Sequence, residues 1–433
     1  MFTVPIAEGL IIYLHVHIPV VVIVDALLTL ILLSTGLAAR FLKAPMAKPW
    51  MALIVPYFLA AVLGVYKGAS IPFIFEYGIR FHVVGLYCCA VAVKPAQVRS
   101  VLRWIGWGMI LLVLMCAKFG DVKDGRFYLP DTSLENPNDL ALALMFGMPC
   151  LALNSSKVMR LVSLAVYPIM LYFILKTGSR ASLITVVAMI GTLFMLAPKR
   201  AKLLMAVALP VVGAAMVMLV RSETLSRLTL IVADTSNVQV SGQLSGAIGS
   251  QEARTELQKR AIQLSLRNPV FGVGALQFTN AVDLMVRETI GVKSGWQGAH
   301  NTYLEVAAEN GIPALILYVA ALVYCFKLNY QTYKVCRADS ALEGIAPQSL
   351  ALLVMTVAFC VCIGFNNDDY DPRAGLLVGL SAANFLAVRD ERKALATAVP
   401  FASAAVSVQN PMIGPKKSGQ KQNQFLARKP GRW

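Results

Sequence analysis

The stretch 349–366, SLALLVMTVAFCVCIGFN, runs for eighteen residues without a charged side chain. A strand is shorter than this, and a helix on the surface of a soluble domain keeps a polar face. An unbroken apolar run of this length fits a helix that crosses a bilayer, which takes about 20 mostly apolar residues. Working outward from it, ten further runs of the same kind can be marked, at 11–35, 50–66, 72–93, 101–118, 139–155, 158–175, 181–197, 203–220, 311–327 and 374–388. Composition agrees. Hydrophobic residues make up 57% of the 433 and charged residues 14%, against about 25% charged in soluble domains. A soluble globular protein is excluded, as is disorder over most of the chain. A transmembrane β-barrel is excluded too, because its strands would alternate apolar and polar residues. The fold class expected is all-α, a polytopic transmembrane helical bundle of about 11–12 spans.

The net charge is 39 − 23 = +16. Basic charge on this scale suits a nucleic-acid binder or a membrane protein with basic cytoplasmic loops. Its location decides for the second. Arg40, Lys43, Lys48, Lys94, Arg99, Lys157, Lys199, Arg200, Lys202, Lys334, Arg337, Arg389, Arg392 and Lys393 all fall in one set of alternate loops. The other set holds Asp121, Asp124, Asp131, Glu135, Asp368, Asp369 and Asp371. The positive-inside rule makes the first set cytoplasmic, with the N-terminus outside and the C-terminus inside. No N-terminal signal peptide is evident. The eight cysteines show no metal spacing and read as small apolar side chains within helices.

Two outer segments are too long for turns. One is 120–138. The other is 221–310, with a Ser/Gly/Gln-rich part at 235–250 expected to be flexible. Within it, 252–266 predicts an amphipathic helix, with Ala253, Leu257, Ala261 and Leu264 on one face, ending before Asn268-Pro269. The chain then divides into N-terminal spans (1–220), the large outer loop (221–310), C-terminal spans (311–393) and a basic, disordered tail (394–433).

Distinctive polar residues gather at the outer face. His300, in GAHNTYLEVAAENGIPALI, is one of four histidines and stands at the mouth of a span. Histidine suits proton transfer near neutral pH; taken alone it also reads as the neighbour of a helix N-cap. His15, His17 and His82 lie within apolar runs. Arg180, in KTGSRAS, precedes a span and reads either as a phosphate ligand at a helix N-terminus or as an interfacial anchor. Arg254 lies on the loop helix with Arg260 and Arg267, which read as solvated. RNPVFGVG at 267–274 sets Gly272 and Gly274 where close backbone approach or a tight turn is wanted. Glu76 and Arg80 are spaced to pair on one helix face. Asn367, Asp368, Asp369 and Asp371 read as a solvated outer loop rather than a cation site.

These pieces, in this order, resemble the O-antigen ligase family, which also includes O-antigen polymerases and some O-linked oligosaccharyltransferases. GRF…NPNDLA lies at 125–141, TGSRAS at 177–182, Arg254 before NPVFGVG, and HNTYLEVAAENGIPALI at 300–316. The resemblance implies a GT-C-like glycosyltransferase of the bacterial inner membrane with its active site facing the periplasm and its C-terminus in the cytoplasm. It implies an undecaprenyl-diphosphate-linked glycan as donor, lipid A–core as acceptor, membrane lipids as surroundings, and neither cofactor nor metal nor nucleic acid. By motif, the catalytic residues fall on His300, Arg254 and Arg180. Substrate contacts are expected at Asn301, Tyr303, Asn136, Asn138, Arg126, Gly272 and Gly274. Without a metal the leaving diphosphate needs fixed cations, which arginine supplies. The acceptor separates the alternatives: a lipid-linked glycan for a polymerase, a protein for an oligosaccharyltransferase. A lipid-linked glycan transporter would predict internal repeats, and none is visible.

Overall fold

The computed structural model describes residues 27–408 except 28, 29, 31, 33, 37, 75–78, 155, 220–241 and 292–296. Most of the first expected span, Glu76 and residues 235–241 lie outside the described residues. The rest is helical apart from one hairpin. The N-terminal helices are α1 (Ala38–Phe41), α2 (Ala47–Ala52), α3 (Ile54–Leu63), α4 (Lys67–Phe73), α5 (Ile79–Val91) and α6 (Pro95–Phe119). Then come β1 (Asp121–Lys123), β2 (Arg126–Tyr128), α7 (Pro137–Gly147), α8 (Lys157–Lys176), α9 (Arg180–Leu196) and α10 (Lys199–Leu219). The outer loop forms α11 (Gly242–Arg267) and α12 (Phe278–Ile290). The chain continues with α13 (Thr302–Ala338), α14 (Ala346–Cys362) and α15 (Pro372–Val408). Residues up to Arg389 make one unit, and those from Asp390 on make a second by themselves.

Four helical stretches are long and apolar enough to cross a membrane: Pro95–Phe119, Lys157–Lys176, Thr302–Ala338 and Glu343–Cys362. Shorter apolar helices accompany them, and the protein is an all-α polytopic helical bundle. On α6, Trp104, Trp107, Leu111 and Leu114 recur at helical spacing and are exposed, while Leu102, Ile105, Met109, Leu112 and Cys116 are buried. A helix apolar on both faces, with one of them uncovered, is built for lipid. Where helices meet, polar side chains join them. The Asn329 amide nitrogen donates to Thr356 Oγ1 (3.3 Å) and Ser381 Oγ (2.8 Å). Gln348 donates to Asn384 Oδ1 (2.8 Å), and Asn384 donates to Ser349 Oγ (2.9 Å). Away from water such bonds fix one packing among several.

Several expected boundaries move. The run 50–66 is divided between α2 and α3. In 139–155, α7 gives way after Gly147 to a 3₁₀ turn, Met148–Leu153, where Pro149 removes a helical donor. The loop helix begins at Gly242, ten residues before the position expected. It buries Leu257, Ala261 and Leu264 as the periodicity predicts, whereas Ala253 is exposed. Residues 394–408, assigned to the tail by sequence, are helical. Cys336 is buried on α13, and all eight cysteines are free thiols.

Candidate functional site

The outer segment 120–138 is built around Asp124-Gly125. Both have positive φ, +52° and +70°, as a two-residue hairpin turn requires. The turn pairs Lys123 with Arg126 across the antiparallel strands β1 and β2. Phe127 is buried and stacks on Phe173 of α8, ring centroids 4.9 Å apart. That anchor directs Arg126 to two motifs at once. Its Nε donates to the Thr177 carbonyl (3.0 Å) and its guanidinium to Asn138 Oδ1 (2.8 Å). The Asn136 side chain accepts the Asn138 N–H (3.0 Å) as the N-cap of α7. Asn138 thus holds Arg126, and Asn136 holds the helix.

After Thr177, Gly178 takes φ +61° and Ser179 caps α9, so Arg180 is the first residue of that helix. Unpaired N–H groups and the helix dipole favour an anion at such a position. Arg254 comes from α11, whose apolar stripe packs with Val273, Phe278, Val282 and Ala299 in a core of its own. His300 stands one residue before the Asn301 cap of α13.

Electrostatics link these side chains in pairs. Burial draws the His300 imidazole down to about 4, and the positive charges of Arg254 and Arg126 push it the same way. Burial likewise lowers Arg254, with the Arg180 guanidinium adding to the effect. Arg254 Nε is buried with no hydrogen-bond partner among the described residues. Like charges gathered in a partly desolvated site repel one another. An anion with several oxygens would relieve that repulsion and supply acceptors to the guanidinium. A neutral histidine therefore stands in the field of these arginines.

The other predicted residues have structural work. The Asn301 side chain accepts the Leu304 N–H (3.2 Å), capping α13. The Tyr303 hydroxyl donates to the Cys360 carbonyl (2.8 Å) and ties α13 to α14. Gly272 (φ +65°) and Gly311 (φ +85°) interlock: a Cβ on Gly272 would overlap the Glu309 carbonyl, and one on Gly311 the Val270 carbonyl. Gly274 (φ +116°) sends its N–H to the Glu309 carbonyl at 3.0 Å. The glycines of NPVFGVG thus bring the loop backbone against the head of α13. The Ile312 N–H donates to the Pro269 carbonyl (2.8 Å), out of the helical ladder, and α13 kinks at Gly311.

The acidic loop after α14 is not solvated as expected. Asp368 and Asp369 are buried. Arg373 pairs with Asp368 (3.2 Å) and with Asp371, and reaches the Asp139 carbonyl of α7 (3.4 Å). Burial raises Asp369 to about 6. Glu309 accepts the N–H groups of Leu276 (2.7 Å) and Phe278 (2.9 Å), fixing the start of α12. Sequence reasoning missed Arg373, Glu305 and Glu309. A signal was present in the last two, spaced i, i+4 in LEVAAEN within an apolar context, where carboxylates are costly.

Residues 165–319 match the family model described as O-antigen ligase. The matched segment contains Arg180, Arg254 and His300; Arg126 lies before it. The match points to ligase- or polymerase-like activity. No curated protein matches the chain.

Proposed function

We propose that the protein is a membrane glycosyltransferase that moves a glycan from undecaprenyl diphosphate to a sugar hydroxyl of lipid A–core at the periplasmic face, without a metal. What supports this reading is the O-antigen ligase match over residues 165–319, which holds Arg180, Arg254 and His300, together with the charges of Arg254 and Arg126 acting on His300 and of Arg180 acting on Arg254. In the reaction, His300 accepts the proton of the acceptor hydroxyl. The acceptor oxygen bonds to the anomeric carbon from the side opposite the leaving group. The bond from that carbon to the diphosphate oxygen breaks, inverting the centre, and the electron pair leaves on the diphosphate. The arginines stabilise the charge that develops there, the form of catalysis in which fixed cations contribute most. Arg180, at a helix N-terminus, and Arg254, with its unpartnered Nε, face the diphosphate. Arg126, held by Asn138 and Thr177, carries the third charge. The proposed orientation, with this face in the periplasm, follows from the basic loops lying on the other side.

The test is transfer by the purified protein given an undecaprenyl-diphosphate oligosaccharide, with and without lipid A–core. Glycan on lipid A–core is the expected product. Longer chains from donor alone would make the enzyme a polymerase. Neither product from folded protein would overturn the reading.

A further inference from the structure

His300 takes φ +49°, a left-handed conformation that few residues other than glycine adopt and that persists only when its surroundings enforce it. On its C-terminal side the restraint is visible. The Thr302 N–H donates to the Ile363 carbonyl (2.9 Å), and Thr302 Oγ1 donates to the Asn366 carbonyl (2.8 Å). On its N-terminal side, Ala299 is fully buried. Gly298 lies so close that a Cβ there would come within 2.8 Å of Glu305 Oε1 and overlap the Asn367 side chain. Glu305 thus lies, in the first turn of α13, beneath the residues that lead into His300.

We infer that Glu305 is a positioning residue: packed beneath Gly298, it sets the left-handed turn that aims His300 at the neighbouring arginines. The inference rests on the transferase reading only for the meaning of "aim". Glu305 is 6% exposed, and its second oxygen, Oε2, is buried with no partner among the described residues. A glutamine has the same shape and can fill the same place. An alanine cannot.

The experiment compares full-length wild type, Glu305→Gln and Glu305→Ala in two readouts. The first is transfer kinetics. Glu305→Ala should lower kcat about 10²-fold, the scale of a displacement of roughly 1 Å at a catalytic group. Donor KM should barely change, because the arginines are untouched. Glu305→Gln should restore kcat. The second readout is the rate at which diethyl pyrocarbonate modifies His300, followed by mass spectrometry. It should differ from wild type in Glu305→Ala and match it in Glu305→Gln. A wild-type kcat and modification rate in Glu305→Ala would overturn the inference, and so would a Glu305→Gln as impaired as Glu305→Ala. If wild type itself transfers no glycan, the transferase reading fails, and the modification rates alone still decide the role of Glu305.

Discussion

At the scale of single residues, the chemistry turns on what surrounds His300. With burial, Arg254 and Arg126 all holding its imidazole at about 4, the free protein carries it neutral through the physiological range. A diphosphate laid across the arginines would cancel part of their charge, so the basicity of His300 should rise toward its ordinary value of about 6.5 when donor is bound. The proton-accepting form is the neutral one, so activity is lost as pH falls through the relevant value. The acid limb of kcat/KM for donor, which reports the free enzyme, should fall near pH 4. The limb of kcat, which reports the complex, should fall at higher pH. Coincident limbs in the two pH–rate profiles would remove His300 from the donor's field. Arg254 allows a second test. Its planar fork binds phosphate oxygens in pairs, whereas lysine presents a point charge. Arg254→Ala should lower kcat/KM about 10²- to 10³-fold, as loss of one charge-stabilising donor does, and Arg254→Lys should recover only part of that in the same steady-state assay.

These residues also show how far a sequence can be read. Arg180 and His300 stand out because each is an ionisable group at the edge of an apolar run, a local and costly arrangement, whereas Arg254 stands out only by its place before NPVFGVG. Their electrostatic coupling is not local: Arg180, Arg254 and His300 come from α9, α11 and the lead into α13, and it appears only in the tertiary structure. Asn136 and Asn301 were drawn to the substrate by their motifs, yet both act as helix caps, a role equally written in their places before Asp139 and Glu305. Arg373 stayed hidden because its partners Asp368 and Asp371 read as one hydrophilic stretch. Burial, which sequence does not display, turns that stretch into a network.

At the scale of elements, the outer loop is fastened to α13 by backbone contacts as well as by the Glu309 side chain. Gly272, Gly274 and Gly311 let two chains approach until the Val273 and Gly274 N–H groups reach the carbonyls of Ala308 and Glu309 at 2.9 and 3.0 Å. The kink at Gly311 follows, since Ile312 spends its donor on Pro269. The sequence reading ended the loop at 310 and began a span at 311, which is the place of the kink, although helix α13 already starts at Thr302. Apolar content marked the membrane part; the amphipathic first turns were hidden because their partners lie 30 to 60 residues away. Gly272→Ala meets both a positive φ and a neighbouring carbonyl. Strain of this kind costs about 1–3 kcal/mol before any overlap is counted. The variant should melt at lower temperature in detergent, and the loop around 267–274 should become more open to protease than in wild type. Gly291→Ala shares the positive φ but meets nothing within 4 Å, so it should show the smaller loss and serve as the control.

At the scale of the whole molecule, the surface is what separates a membrane protein from a soluble helical one with the same element order. Trp104, Leu111, Leu114, Val158, Leu161, Leu164, Ile316 and Val323 are large, apolar and mostly exposed, 53–70% by residue. In water such faces would aggregate; in lipid they cost nothing, and the polar bonds of Asn329, Gln348 and Asn384 turn inward instead. Position on the helix then sets what a substitution does. Leu111 is near the middle of α6 and uncovered. Leu111→Arg should oppose insertion by about 2.5–3.5 kcal/mol, the cost of arginine at the centre of a spanning helix. Leu111→Ala removes only lipid contact and should be almost silent. Membrane-extracted yield of the two variants, expressed side by side, measures the difference. Equal yields would mean that this face of α6 meets protein rather than lipid. The exposed stripe would then be an interface between copies of the chain.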